Sequence, residues 1–227
     1  MNAMPASEMK KADKPQVSVI SIPEGARNWP LVMKFLQLRK QIFIDGLRWP
    51  LHHDNLLEYE QYDTITSVYL IAHNGDKVLG GGRLVRTDRT QSIGRIVYTY
   101  MIRDAYLKNL PGLPPEICDE EPPVDPSVWE FSRFATIGND SSIASAILDV
   151  GIDYLRHQGA RKCLFLGPPG FMRMARRMGY QATPLGKIVS NDDGRFLAFS
   201  CDLAPLDCDK AGSDAQGVAA TARTQDA

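Results

Sequence analysis

Cysteine is scarce. Cys118, Cys163, Cys201 and Cys208 are the only four in 227 residues, and no two form a C-x-x-C pair. That rules out a disulfide scaffold and points to a reducing, cytoplasmic setting. Histidine is equally sparse: His52, His53, His73 and His157 show no H-E-x-x-H or similar ligand spacing, so no metal site is expected. No run of about 18 apolar residues is present, so no transmembrane helix is expected. The first residues, MNAMPASEMKKADKP, lack the apolar stretch of a secretory signal. Nor is there an excess of charge. Lys+Arg 26 against Asp+Glu 27 leaves a net charge of −1, without the basic surplus that binds nucleic-acid phosphates.

What is present is the composition of a globular protein, 44% hydrophobic and 23% charged. Residues 1–16 and 204–227 are polar or small-residue rich and are expected to be disordered. Residues 17–203 form one domain with room for a sizeable core. Within it, Val17–Ile22 alternates as a strand, and 30–44 carries apolar residues at helical spacing with Pro30 in its first turn. Residues 67–72 and 78–85 are apolar runs flanking Asn74-Gly75, a hairpin signal. Residues 87–127 are proline-rich and read as loop with a short helix near 102–108. A strand at 128–137, a helix from Asp140 to His157 stopped by Gly159, a strand at 162–166, a helix at 171–178 and strands at 182–189 and 196–202 complete the chain. This order predicts a three-layer α/β (α+β) domain with a mixed central sheet.

Three groups of residues carry chemistry. Arg39 and Phe43 share a helix face, and Trp49 follows where the chain leaves the helix. Taken alone, these are more simply an amphipathic helix with core aromatics and a solvated arginine. Glu58, Glu60 and Asp63 form an acidic cluster that reads either as a solvated loop or as counter-charge for a cationic ligand assisted by aromatic faces. In the strand W-E-F-S-R-F, alternation puts Glu130, Ser132 and Phe134 on one side and Phe131 and Arg133 on the other. Glu130, Arg133 and the neighbouring-strand Arg83 are costly to bury unpaired, which favours a polar cleft over chance.

In this order and spacing, R-x3-F-x5-W (Arg39, Phe43, Trp49), then Asp63, then G-x-R-L with Arg83, then E-x-S-R-F with Glu130 and Arg133, the chain resembles the LuxI-type acyl-homoserine-lactone synthases from about Val17 to Leu203. The resemblance implies an N-acetyltransferase-like fold with two splayed central strands. It also implies a reaction in which an acyl group passes from acyl-carrier protein, or acyl-CoA, to the amine of S-adenosylmethionine, with lactonisation and release of methylthioadenosine. S-adenosylmethionine is then a substrate and no cofactor is needed. Arg39, Phe43, Trp49, Glu60 and Arg83 are the expected substrate-binding residues, with Arg39 pairing the substrate carboxylate. Glu130, as general base, with Arg133 and Asp63, makes up the expected catalytic group. Many members carry Asp where this chain has Glu60. Arg173, Arg176 and Arg177, at i, i+3, i+4, are the candidate docking face for an acidic carrier protein, although a solvated helix face explains them as well. Two other readings share these residues: an N-acyltransferase acting on a different amine, and a catalytically silent protein that binds carrier protein or S-adenosylmethionine.

Overall fold

The structure is a computed structural model that describes residues 15–110, 112–138 and 141–203. Its strands are β1 (Gln16–Ile20), β2 (Val68–Asn74), β3 (Lys77–Arg86), β4 (Gln91–Ile93), β5 (Ile96–Tyr98), β6 (Val128–Thr136), β7 (Lys162–Gly167), β8 (Ala182–Pro184), β9 (Val189–Asn191) and β10 (Gly194–Asp202). Its α-helices are α1 (Trp29–Arg39), α2 (Met101–Tyr106), α3 (Ser141–His157) and α4 (Pro169–Arg177). The main sheet runs β1-β2-β3-β6-β7-β10-β8, with β9 also paired to β10. Every pairing in it is antiparallel except β6 with β7.

Alternation along the strands splits the apolar residues between two faces. Tyr69 and Ile71 of β2 pack with Val32, Phe35 and Leu36 of α1. Leu70 and Ala72, one step out of phase, pack with Ile143, Ile147 and Ile152 of α3. Leu164, Phe196 and Ala198 meet Ile102 and Ala105 of α2. The sheet is therefore covered by α1 and α2 on one face and by α3 and α4 on the other, the expected three layers. Burial of each such Leu, Ile or Phe contributes about 1.5–3 kcal/mol.

Several sequence expectations change in detail. The ends expected to be disordered, 1–16 and 204–227, lie outside the described residues apart from Pro15 and Gln16, and Gln16 already belongs to β1. Asp140, the expected cap of α3, also lies outside them. The first helix is α-helical only to Arg39 and continues as a π-helical turn over Lys40–Gly46. The proline-rich stretch contains the β4–β5 ribbon besides α2. The strand expected at 182–189 is two short ones, β8 and β9.

Two features part the central strands. β6 pairs with β7 only from Val128 to Phe131. Just beyond, the register of β6 against β3 shifts between Gly81 and Arg83, and Arg133 takes a left-handed φ of 54°. This is a bulge with one extra residue on β6, and it bends the strand away from β7. Gly82 faces the bulge. A Cβ built there would stand 2.3 Å from the Phe131 ring, so only glycine permits this approach.

Candidate active site

The bulge also overturns simple alternation. Ser132 and Arg133 both reach the α1/α2 face, while Phe134 turns with Phe131 toward α3 and α4, their ring centroids 5.6 Å apart. Arg133 thus lies on the side of Glu130 and Ser132, opposite to the sequence reading.

On the α1/α2 face, three arginines interlock with three acids. Arg39 donates from Nη1 and Nη2 to the two oxygens of Asp63 at 2.8 and 2.9 Å, and from Nε to Glu58. Arg83 bridges Glu60, at 2.5 Å, and the Ser132 hydroxyl, at 3.0 Å, and its Nη1 lies 2.9 Å from Asp63 Oδ1. Arg133 donates to Glu60 at 2.5 Å and to Glu58 at 3.3 Å. The Tyr69 hydroxyl and the Glu60 backbone N–H add two more donors to Asp63. Three positive groups meet three negative ones, so the network is neutral, as a buried cluster must be to offset desolvation. Burial raises the pKa of Asp63, but the Arg83 and Arg39 guanidiniums overcome it and hold the carboxyl well below the usual range. The same opposition leaves Glu60 lowered, with Arg133 and Arg83 the dominant partners.

A cavity of about 350 Å³ passes through the parted strands from this cluster to the α3/α4 face. Glu60, Ser132 and Arg133 form its charged wall, and Phe43 and Trp49 flank them. Those two rings are stacked, 5.3 Å apart and 6° from parallel, with the Arg133 guanidinium 6.0 Å from the centre of Phe43. The π-helical turn supports this placement, since the Trp49 N–H bonds the Phe43 carbonyl, and the indole N–H donates to the Asp193 carbonyl. The far wall is apolar: Phe131, Phe134, Leu166 and Phe171.

Of the expected substrate-binding residues, Phe43, Trp49 and Glu60 line the cavity. Arg39 and Arg83 do not. Both are fully buried, and the fork of Arg39 that was expected to take a substrate carboxylate is committed to Asp63. Of the expected catalytic group, Arg133 lines the cavity, whereas Asp63 stands behind it as the hub of the ion network. Glu130 is also fully buried and outside the lining. Its oxygens accept the backbone N–H groups of Met101 and Ile102 at 3.1 and 2.8 Å, so it caps α2. Burial pushes its carboxyl up to about 7 against those N–H groups and Arg83.

The sequence reading assigned no site role to Ser132, Met101 or Phe171, and it placed Glu58, the third acid of the network, in the acidic cluster without carrying it into the binding or catalytic set. Met101 is the side chain through which the capped helix reaches the cavity. The spacing of Glu58 from Glu60 and Asp63 was the one visible signal. Arg173, Arg176 and Arg177 are exposed on α4, and Arg176 spends two donors on the Ala182 carbonyl, at 3.0 and 2.8 Å. Among the described residues, no cluster of three His, Cys, Asp or Glu is placed to hold a metal, and no helix is long and apolar enough to cross a membrane.

A mixed sheet parted at its one parallel pair, with a charged and an apolar wall facing each other across the gap, defines an acyltransferase-like protein. The fold matches that of a putative N-acetyltransferase from Lactobacillus plantarum, TM-score 0.50 at 13% identity, over 85% of this chain and all of that one. Residues 28–212 match the autoinducer synthase family, and the chain belongs to it: it is an acyl-homoserine-lactone synthase, an acyltransferase of quorum sensing. The acyl-homoserine-lactone synthase of Acinetobacter nosocomialis is 26% identical over 183 residues, 75% of this chain and 90% of that one. The crystal structure of TofI in a ternary complex with an inhibitor and MTA superposes with TM-score 0.66 at 25% identity, over 83% of this chain and 91% of TofI. The CoA-dependent synthase BjaI, solved with SAM and isopentyl-CoA, has the same fold, TM-score 0.68 at 22% identity over 84% of both chains.

Proposed function

We propose that the cavity holds S-adenosylmethionine against its charged and aromatic wall and the acyl thioester against its apolar wall, with acyl-carrier protein as the donor. The observation that carries this reading is the juxtaposition of Arg133 and Glu60 with Phe131, Phe134 and Phe171 in one cleft. A zwitterionic amino acid and a hydrocarbon chain need these two environments side by side.

The amine of S-adenosylmethionine attacks the thioester carbonyl carbon. An N–C bond forms, the C–S bond breaks, and the carrier thiol leaves. Only the neutral amine is nucleophilic, and with a pKa of about 7.7–8.0 a useful fraction is neutral near pH 7. Glu130 is fully buried outside the cavity lining, each of its oxygens accepting a backbone N–H of α2. Glu130 therefore acts as a positioning residue, and the amine proton leaves to water in the open cleft. Arg133, the guanidinium at the cavity wall, meets the substrate carboxylate. Arg39, Arg83 and Asp63 fix Arg133 and Glu60 from behind. The Trp49 face is the one available to the sulfonium or adenine, since Phe43 stacks on Trp49 and lies under Arg133. Backbone N–H groups of β6 beyond the bulge receive the tetrahedral oxyanion. In the second step the homoserine carboxylate oxygen displaces the sulfonium at Cγ, closing the lactone and releasing methylthioadenosine. That closure requires a folded substrate rather than a protein base.

The donor assignment rests on the turn after β6. The sequence there, TIGNDSSIAS, has a single glycine and lacks the glycine-rich run that cradles a pyrophosphate. The test is incubation of the pure protein with S-adenosylmethionine and panels of acyl-carrier and acyl-CoA donors. Methylthioadenosine and lactone should form together, faster with the carrier. Acyl transfer without methylthioadenosine would make the protein an N-acyltransferase for another amine.

A further inference from the structure

The apolar end of the cavity is closed in an unusual way. Phe134 comes from β6 just past the bulge, and Phe171 from the first turn of α4, on opposite sides of the parted strands. Their rings stack 5.6 Å apart and 9° from parallel, and both face the cavity. Phe171 packs edge-to-face against Phe165 and Phe199, at 5.5 and 5.7 Å, and those two rings are stacked on each other at 5.1 Å. Behind Phe171 lies a second, smaller void of about 20 Å³, walled by Leu148, Ile152, Met174, Met178 and Tyr180. Phe171 belongs to the walls of both. The void is apolar, so it stays dry, and its two methionines are flexible enough to yield to an added chain.

We propose that the Phe134–Phe171 pair is the end stop of the acyl site and sets the longest acyl chain the enzyme accepts, with Phe171 the ring that separates the site from room for more. This rests on the reading of the cleft as the acyl-donor site. A chain that ends at the rings is fully buried. A longer one must displace a ring stacked on Phe134 and packed edge-to-face against the Phe165–Phe199 pair. Removal of the Phe171 ring joins the two spaces and gives extra methylenes an apolar destination.

The test is binding rather than turnover. S-alkyl pantetheines, butyl to tetradecyl, carry a thioether in place of the thioester and cannot react, and their affinities for the wild type and for Phe171→Ala are measured calorimetrically. Wild-type affinity should rise about fourfold per methylene and stop rising at one chain length. In Phe171→Ala the rise should continue beyond that length. Phe171→Leu, which keeps a core-sized apolar group, should move the break in the same direction by less, and it decides the matter should the alanine variant not fold. A break at the same length in the wild type and the variant that folds overturns the proposal. So does a wild type with no break, or one with no affinity for any chain. Because the probes need neither S-adenosylmethionine nor turnover, failure of the lactone synthesis assay would leave this result standing on its own.

Discussion

Glu130 holds Met101 by its backbone: the carboxylate accepts the Met101 N–H at 3.1 Å, and the Met101 side chain, with its sulfur 3.8 Å from Arg133 Nη1, lines the cavity. Glu130 reaches the site only through the helix it caps. Glu130→Gln should therefore lower kcat/KM about tenfold, the scale of one charge-assisted hydrogen bond, while the pH–rate profile keeps its shape. Were it the general base, the same substitution would remove its pKa from the acid limb of the profile. Stability supplies a second readout. The native carboxyl is raised to about 7 from an ordinary 4.5. Its contribution is therefore complete below about pH 4.5 and is lost as the pH rises through 7, by about 3 kcal/mol. The wild-type unfolding free energy, minus that of Glu130→Gln, should fall across that window in urea melts.

The fork of Arg39 tests the ion network. In Arg39→Met, Glu58 and Asp63 lose their shared fully buried partner. Leaving a buried charge uncompensated costs about 3–5 kcal/mol, which urea denaturation at pH 7 should show. Asp63 is depressed in the native state, so its stabilisation is present above the ordinary carboxyl pKa and is lost as the pH falls through the native value. The wild type should weaken on acidification toward pH 3. In Arg39→Met this loss should be smaller, because one of the two guanidiniums that lower Asp63 is gone. The double variant with Asp63→Asn should cost less than the sum of the two single changes.

Much of this was legible in the chain. Alternation in β1, the apolar runs either side of the Asn74-Gly75 turn and the period of α3 marked the elements of the layers, because each pattern is local. The ordered set from Arg39 to Arg133 marked the site, although those residues come from separate segments that only the fold brings together. The bulge was not legible, since nothing in W-E-F-S-R-F announces a left-handed arginine, and alternation put Arg133 on the wrong face. Nothing in KQIFIDG distinguishes a π-helical turn from a continuing α-helix. The burial of Arg39 was hidden for another reason: an arginine reads as solvated until its partners are seen. The three-residue strands β4 and β5 are too short to show a period.

Gly82 is where the parted sheet can be tested directly. A methyl group at this position meets the Phe131 ring 2.3 Å away, inside any allowed contact. Phe131 is buried and also walls the cavity, so the strain reaches the acyl end of the site. Gly82→Ala should destabilise the fold by about 1–3 kcal/mol and weaken binding of the alkyl pantetheines. Binding of S-adenosylmethionine, at the opposite wall, should change much less. Equal losses for both ligands would mean that the strain spreads through the whole cleft.

The three arginines of α4 separate into two kinds, and that difference yields a prediction about the donor. Arg176 is tied to the Ala182 carbonyl by two hydrogen bonds and so anchors α4 to β8. Arg173 and Arg177 are exposed on the same short helix, whose first turn also places Phe171 in the cavity wall. An acidic carrier docking there would present its acyl arm beside the cleft. Charge reversal of Arg173 and Arg177 should raise the KM for acyl-carrier protein about tenfold at low salt, with the difference shrinking as the Debye length falls below about 8 Å. The KM for S-adenosylmethionine should stay constant, since neither side chain lines the cavity. Arg176→Ala should instead lower the melting temperature and leave the salt dependence as it was. An unchanged carrier KM in the double reversal would move the docking surface off α4.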